Sequence, residues 1–595
     1  MMSQLALKDM TAGSQHGAAW VTRWFWPIAA ALLVVRVYVD SACNLVPDEA
    51  FYWTWTRHLS TGYFDHPPMI AWIIWLSTRV FGNTELGVRL PASLMSIGAL
   101  GVLFAIARRV LADSRAVGFV MLMWIAGPLL PVIGTIITPD APATFFSVCA
   151  LACAVKLAAA DDSIDPSSGA AWTHGAGWWI AFGVLCGLAF LSKYTTVLLP
   201  GGVALAFATS RRGIRHFARP WIYLAGIISL AVFSPCIYWN YRHHWASFAF
   251  QINHGAGGGL TEGVNGFFRQ WLARFGGLAQ FIGGQAMVWT PVLFGMTLLL
   301  LFSNWLTALR RAWASIVRAE IPLHDSSEPF SRHACVPYSS DRASIEEKRH
   351  ASVPAKLDYA SKTRDSLPSR LDWIVKFGKL NRLSEVDWLL LWSGTLPLVF
   401  FGIMAMRSHG EINWPAFAYF PLSLLLGRFL AENWAGFRVQ WMKIGCQVAL
   451  GFTIGMHLVA LPRIQQFLIR SHVHITHQVT DLWGWNEFGR KLAAFDLPVV
   501  CNRHQDAGEA AFYMPGQPDV WCDGVGSRTT AFDFFDTGRP DYAKIPRLAF
   551  VGGHARQFEE KHGYTRAIEV TSAALPGLGK NRSHVVTVVV REAVK

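Results

Sequence analysis

Long apolar runs, separated by short polar and often basic stretches, set the pattern of this chain. Hydropathy picks out runs at 24–39, 92–110, 116–134, 141–158, 176–192, 194–209, 220–238, 278–302, 386–405, 414–430 and 443–461. Runs of roughly 18–25 residues are long enough to cross a bilayer as helices. The pattern predicts a polytopic α-helical membrane protein with about eleven transmembrane helices. The first run carries no small-residue cleavage signature, and Asp40 spoils a lipobox ending at Cys43, so it reads as an anchor that stays in place.

The polar pieces between the runs give the topology. Arg108, Arg109 and Arg115 flank one short loop, Arg211, Arg212, Arg215 and Arg219 crowd another, and Arg310, Arg311 and Arg318 open a long one. Counting every run puts all three on one face, which the Lys/Arg bias makes cytoplasmic. Residues 1–23 then form a cytoplasmic tail, 24–461 the membrane domain, and 462–595 an outward-facing domain. The segments 40–91, 135–140, 239–277 and 406–413 also face outward. The first of these is too aromatic for a solvated loop and is broken by prolines, so short amphipathic helices along the membrane surface are expected. Gly255, Gly257, Gly258 and Gly259 mark a mobile stretch. The segment 303–385 is polar, without clear periodicity, and reads in large part as a disordered cytoplasmic insertion.

After residue 462 the style changes. Leu497–Asn502, Val520–Cys522, Arg547–Gly552 and His584–Arg591 are short β-like runs, with a helix-like link at Gly508–Tyr513, which predicts a small α/β domain. Cys501 and Cys522 fall on neighbouring strands, where they either form a disulfide or fill the core as two small residues.

Composition agrees. Hydrophobic residues make up 52% of the 595 and charged residues 15%, against roughly 25% charged in soluble domains. Disordered, collagenous and disulfide-scaffold classes are excluded. The net charge of +13 would favour nucleic acid in a soluble protein. Here the basic residues sit between apolar spans and serve topology, so no nucleic-acid partner is expected.

Chemistry concentrates at the outer ends of the spans. Asp48 and Glu49 follow the first span, and Asp140 occupies a short turn between two others. Each is a plausible helix cap on its own. A carboxylate at a membrane interface must be solvated, paired or employed in chemistry, and two acidic sites on one face can converge over one cavity. Lys193, Arg242, His243, Arg57, His58 and His66 lie on the same face. Any single one reads most simply as a snorkelling side chain; together with the acids they suit a lipid-linked phosphate brought against an activated hydroxyl. His472, His474 and His477 match no standard zinc spacing, so no metal or cofactor is required by the sequence. Trp53, Trp55, Trp72 and Trp75 read as an interfacial belt.

Six stretches carry a resemblance: PDEAFYWTWTRHLSTGYFDHPPMIAW (47–72), ITPDAP (137–142), LSKYTTVLLP (191–200), WNYRHHWASFAFQ (239–251), EINWPAFAY (411–419) and GEAAFYMPGQP (508–518). Together they resemble bacterial GT-C glycosyltransferases of the dolichyl-phosphate-mannose and Rgt-type group, related to protein O-mannosyltransferases and the lipid A aminoarabinose transferase. The resemblance covers most of residues 24–535 apart from 303–385. It implies a bacterial inner-membrane enzyme that transfers a sugar from a polyprenyl-phosphate donor to a periplasmic acceptor, either lipid A, lipopolysaccharide or another envelope glycolipid. It places Asp48 as the base or acceptor-orienting acid, with Glu49 beside it and Asp140 as the second acidic site. Lys193, Arg242, His243, His66 and Arg57 become candidates for the donor phosphate. Asp65, His58, Tyr63, Glu411 and Asn413 become substrate-positioning candidates. Asp65-His66 stands where the aminoarabinose transferases carry an acid followed by Lys, which weakens aminoarabinose as the donor sugar. A protein O-glycosyltransferase is the enzymatic alternative. A lipid flippase is the non-enzymatic one, although the acids lie at span ends rather than at mid-membrane and no internal repeat is evident.

Overall fold

The computed structural model describes residues 23–125, 127–160, 175–256, 267–319, 380, 383–408, 410–434, 461–471, 482–525, 528–535, 538, 540–574 and 583–590, with isolated positions between 444 and 458. Among these, six helices are long and apolar enough to cross a membrane: Arg23–Ala42, Glu85–Val110, Asp140–Ala159, Pro220–Arg242, Pro291–Ala314 and Glu385–Ala405. Shorter apolar helices, Met69–Phe81, Ser114–Ile125, Ala176–Ser192 and Tyr194–Thr209, accompany them. This is a multi-pass membrane protein. The run at 443–461 and the three histidines at 472–477 lie largely or wholly outside the described residues.

Several boundaries differ from the hydropathy pattern, each for a local reason. The helix expected from residue 92 begins at Glu85, where the Thr84 side chain accepts from the Gly87 N–H at 3.0 Å; its polar first turns conceal it from a hydropathy window. The run at 116–134 is two helices, Ser114–Ile125 and Leu129–Thr135, the second following Pro128. The run at 278–302 is likewise two, Phe267–Trp289 and Pro291–Ala319. The break falls at Thr290, whose φ is 63°. A residue before proline is pushed out of the α region, so Pro291 restarts the helix. The polar segment expected from residue 303 is helical as far as Ala319.

By its contacts the chain divides into two compact units, Met296–Arg382 and everything else. Within the smaller unit, the Leu380 N–H donates to Asn304 Oδ1 at 3.3 Å. The larger unit holds the remaining membrane helices, the first outer segment and the tail.

The tail builds one five-stranded sheet from β1 (Val499–Cys501), β2 (Trp521–Cys522), β3 (Arg547–Val551), β4 (Thr565–Ala574) and β5 (Ser583–Val590). Its order is β2-β1-β3-β5-β4, with β1, β2 and β3 parallel and β5 antiparallel to both its neighbours. Cys501 and Cys522 are register partners on β1 and β2, and both are buried free thiols. The helix His504–Tyr513 leaves β1 and packs against the helix Pro47–Trp55 of the first outer segment. Gly508 makes this approach feasible: a Cβ there would stand 2.6 Å from the Phe51 nitrogen and 2.8 Å from the Ala50 carbonyl carbon. Phe51, Trp55, Phe512, Trp521 and Phe532 share one continuous core across this junction.

Candidate active site

The helix Pro47–Trp55 starts on Pro47, whose missing N–H costs nothing at the first helical position. Capping falls to Glu49, not to Asp48. Glu49 Oε2 accepts from the Val46 N–H at 2.9 Å, and Oε1 accepts from the Ile137 N–H at 2.8 Å. Both its oxygens also face Arg89, with Nη2 to Oε2 at 2.5 Å and Nε at 3.0 Å from each. The Arg89 guanidinium donates further to the carbonyls of Cys43 (2.9 Å) and Asn44 (2.6 Å). Both side chains are fully buried. Of the two neighbouring acids, Glu49 thus ties the first outer segment to the ITPDAP turn and to the helix Glu85–Val110, and Asp48 is left for other work.

Asp48 is exposed yet ringed by protein. Oδ1 accepts from Gln505 Nε2 at 3.3 Å. The surrounding protein, with Glu49 adding to it, pushes the Asp48 carboxyl above the ordinary carboxylate range, against the lowering effects of Gln505, Arg528 and Arg503. One helical turn on, Tyr52 presents a hydroxyl that makes no hydrogen bond among the described residues. Burial raises the Tyr52 hydroxyl pKa well above its usual value, followed by the charges of Asp48, Asp65 and Asp140. The charges of three acids from three separate segments therefore reach one phenol.

Asp140 opens the helix Asp140–Ala160. Its Oδ1 receives Lys193 Nζ at 2.6 Å and its Oδ2 receives Asn413 Nδ2 at 2.8 Å. Lys193 sits in extended conformation where the helix Ala176–Ser192 ends, and its ammonium lies 5.8 Å from the Trp414 ring centre. Residues from ITPDAP, LSKYTTVLLP and EINWPAFAY thus meet at one point. Asp65 is buried, with Oδ1 accepting from Arg528 Nη1 at 2.7 Å and Oδ2 from the Ala531 N–H at 2.9 Å. The Asp65 carbonyl accepts from Gln251 Nε2 at 2.6 Å. Burial pushes its carboxyl up, and Arg528 opposes this. His66 is half-buried, its ring 6.0 Å from that of Tyr52.

Other sequence candidates lie elsewhere. Arg57, His58 and Tyr63 line a cavity of about 300 Å³ with Trp239, Phe534 and Phe535; neither Asp48 nor Lys193 is in its wall. Arg57 pairs with Asp519 at 2.5 Å and lies over the Trp53 ring. His58 stacks on Phe535 at 4.4 Å. Tyr63 stacks on Trp55, and its hydroxyl is spent on the backbone of Trp55, His58 and Ser60. His243 stacks on Trp239, with Nδ1 2.8 Å from that residue's carbonyl. Arg242 and Glu411 are exposed and have no ion pair among the described residues. No group of three or more His, Cys, Asp or Glu among the described residues is arranged to hold a metal ion.

Sequence reading missed Tyr52, Arg89, Gln505, Arg503 and Arg528. Tyr52 had a signal, since it stands at i+4 from Asp48 and so on the same helix face. Gln505 and Arg528 had none, because they reach the site from more than 450 positions away.

Membrane helices joined to a small α/β tail make up a fold that a solved structure shares. The crystal structure of ArnT from Cupriavidus metallidurans bound to undecaprenyl phosphate superposes with a TM-score of 0.54 at 15% identity, over 96% of this chain and 98% of that one. A model of dolichyl-phosphate-mannose-protein mannosyltransferases matches residues 65–239. Lipid A galacturonosyltransferase RgtD of Rhizobium johnstonii is 26% identical over 37% of this chain and 46% of its own length. The undecaprenyl phosphate-alpha-4-amino-4-deoxy-L-arabinose arabinosyl transferase of Pseudomonas aeruginosa is 27% identical over 33% of this chain and 36% of its own. The chain thus spans less than half the length of the curated relatives it matches. In fold and in these partial matches the chain is similar to GT-C glycosyltransferases.

Proposed function

We propose that this protein is an inner-membrane glycosyltransferase that moves a sugar from a polyprenyl-phosphate donor to an envelope glycolipid on the periplasmic face. Lipid A or lipopolysaccharide is the acceptor class, a reading supported by the lipid A galacturonosyltransferase among its relatives. The observation that supports this reading is the Asp140–Lys193–Asn413 cluster, together with a solvent-accessible acid, Asp48, whose charge and that of Asp140 both reach Tyr52.

The roles follow from the partners. Asp48 keeps a carboxylate open to solvent and contacts one neutral donor, so it serves as the base for the acceptor hydroxyl. Its raised pKa brings it nearer to that of an effective base at neutral pH. Lys193, anchored by Asp140, has ammonium protons left for the departing phosphate. Asn413 fixes Asp140, and Glu49 with Arg89 fixes the turn of chain that presents Asp48. A phosphate is already a fair leaving group, so one base and one cation suffice, and attack opposite the phosphate inverts the anomeric centre.

Asp48→Asn tests this. Transfer from a polyprenyl-phosphate sugar, followed by mass spectrometry of the product lipid, should fall by about 10²–10⁴, with protein level and donor binding retained. Undiminished transfer in that variant would refute the mechanism.

A further inference from the structure

Beside Asp48 the tail places two guanidiniums that proton abstraction does not use. Arg503 Nη2 donates to Gln505 Oε1 at 2.9 Å, and Gln505 in turn donates to Asp48. Arg503 is exposed, and its other N–H groups have no partner among the described residues. Arg528 spends Nη1 on Asp65 and, at 3.4 Å, on the Thr529 carbonyl, and its guanidinium lies 5.2 Å from the Phe250 ring centre. Its Nε and Nη2 have no partner among the described residues, and its side chain is 47% exposed. Both stand around the helix that carries Asp48: His504, next to Arg503, meets the Phe51 ring at 4.5 Å, and Phe532, shortly after Arg528, meets it at 5.7 Å.

Charge balance shows what is missing. Asp65 pairs with Arg528. Arg503 bonds only the neutral Gln505 and has no ion pair among the described residues, so one guanidinium is uncompensated. An oxyanion held there would restore the balance, and guanidinium forks suit phosphate and carboxylate better than any neutral group. Its owner follows from position. Lys193 is bound to Asp140, whereas Arg503 and Arg528 flank the base, and the molecule at the base is the one that carries the attacking hydroxyl.

Building on the transfer reading above, we propose that Arg503 and Arg528 form an anion-binding subsite for the acceptor, selecting glycolipids that carry a phosphate or carboxylate next to the attacking hydroxyl. The tail is then a substrate-selecting part of the site.

The test is binding of three matched disaccharide lipids to the full-length protein in detergent, without donor. One bears a phosphate beside the free hydroxyl, one a carboxylate and one neither. Wild type should bind a charged lipid roughly tenfold or more tightly than the neutral one, as a charge-assisted hydrogen bond warrants; which charged lipid gains more names the oxyanion. Arg503→Ala, an exposed change, should erase most of that gain and leave the neutral lipid unaffected. Arg528→Lys, which keeps a cation for Asp65 but loses the fork, should reduce it partially. The proposal is overturned if wild type shows no preference, if Arg503→Ala weakens all three lipids equally, or if it raises the KM for the donor instead. Binding is read without turnover, so a wild type that prefers the anionic lipid yet transfers no sugar would refute the transfer reading alone.

Discussion

Gln505 Nε2 donates to Asp48 Oδ1 at 3.3 Å across 457 positions of sequence. A hydrogen bond to the ionised form holds a carboxyl pKa down, so this contact moderates the rise that the surrounding protein imposes on Asp48. Gln505→Ala should therefore move the acid limb of kcat/KM to higher pH. The effect is bounded by the roughly 0.5–1.5 kcal/mol of a single neutral hydrogen bond. A limb that moves to lower pH would contradict the assignment of Asp48 as base.

Lys193 should govern the donor. Lys193→Gln removes the only charged donor in the Asp140 cluster among the described residues, and loss of a charge-assisted bond of about 1.5–3 kcal/mol predicts a donor KM roughly ten- to a hundredfold higher. Asn413→Ala, which frees one oxygen of Asp140, should do the same more weakly. Kinetics at varied donor and fixed acceptor check both; an effect confined to acceptor KM would reassign Lys193.

The Glu49–Arg89 pair is structural and should behave so. Glu49→Ala strands a fully buried guanidinium, at a cost of about 3–5 kcal/mol. The double change Glu49→Leu with Arg89→Met should recover much of that, since well-packed apolar side chains commonly replace a buried pair without loss. Thermal unfolding in detergent, followed by light scattering, separates the two outcomes.

Glu509, in the helix His504–Tyr513, gives a pH prediction of its own. It is fully buried and neither oxygen has a hydrogen-bond partner among the described residues. Burial, then Glu49, pushes its carboxyl well above the usual range. A folded pKa raised above the unfolded one contributes stability at pH below the unfolded value, and this is lost as pH rises through the folded value. Glu509→Gln should leave stability in acid nearly unchanged and remove the decline that sets in as pH rises above the ordinary carboxyl range. Parallel Tm-against-pH curves for variant and wild type would show that Glu509 is not the group that titrates.

Gly508→Ala should act as a wedge. The added methyl would meet the backbone of Ala50 and Phe51 below 3 Å, and backbone cannot yield as a side-chain tip can. A loss of about 1–3 kcal/mol is expected for such overpacking, together with lower activity because Gln505 and Arg503 move with the helix. Full activity at a reduced Tm would detach the tail from the chemistry.

How much of this was legible depended on range. Asp48 and Asp140 stood out because a carboxylate beside an apolar span calls for a reason, and each opens a helix at a cluster of polar side chains. Cys501 and Cys522 were readable as strand neighbours because each ends a short apolar run, and they are register partners. β4 was not readable. Its pairing with β5 shifts register between Arg566 and Ile568 and again between Val570 and Ala573, and such irregularities destroy the alternation that marks a strand. The capping reading of the Asp48-Glu49 pair holds for Glu49, but the sequence could not say which of the two caps, because Arg89 and the Ile137 N–H decide which acid is saturated. Arg503, Gln505 and Arg528 answer to no local pattern at all.

The strand order carries one last implication. β1 lies between β2 and β3, so the chain departs from it first to one side and then to the other. In open parallel sheets the crevice outside the carboxyl end of such a strand is where a small molecule usually docks. Here that crevice receives the helix Pro47–Trp55, with the Phe51 ring 4.5 Å from His504. The tail's sheet grips a piece of its own chain as other sheets grip a nucleotide, and the acid it holds in that grip is Asp48.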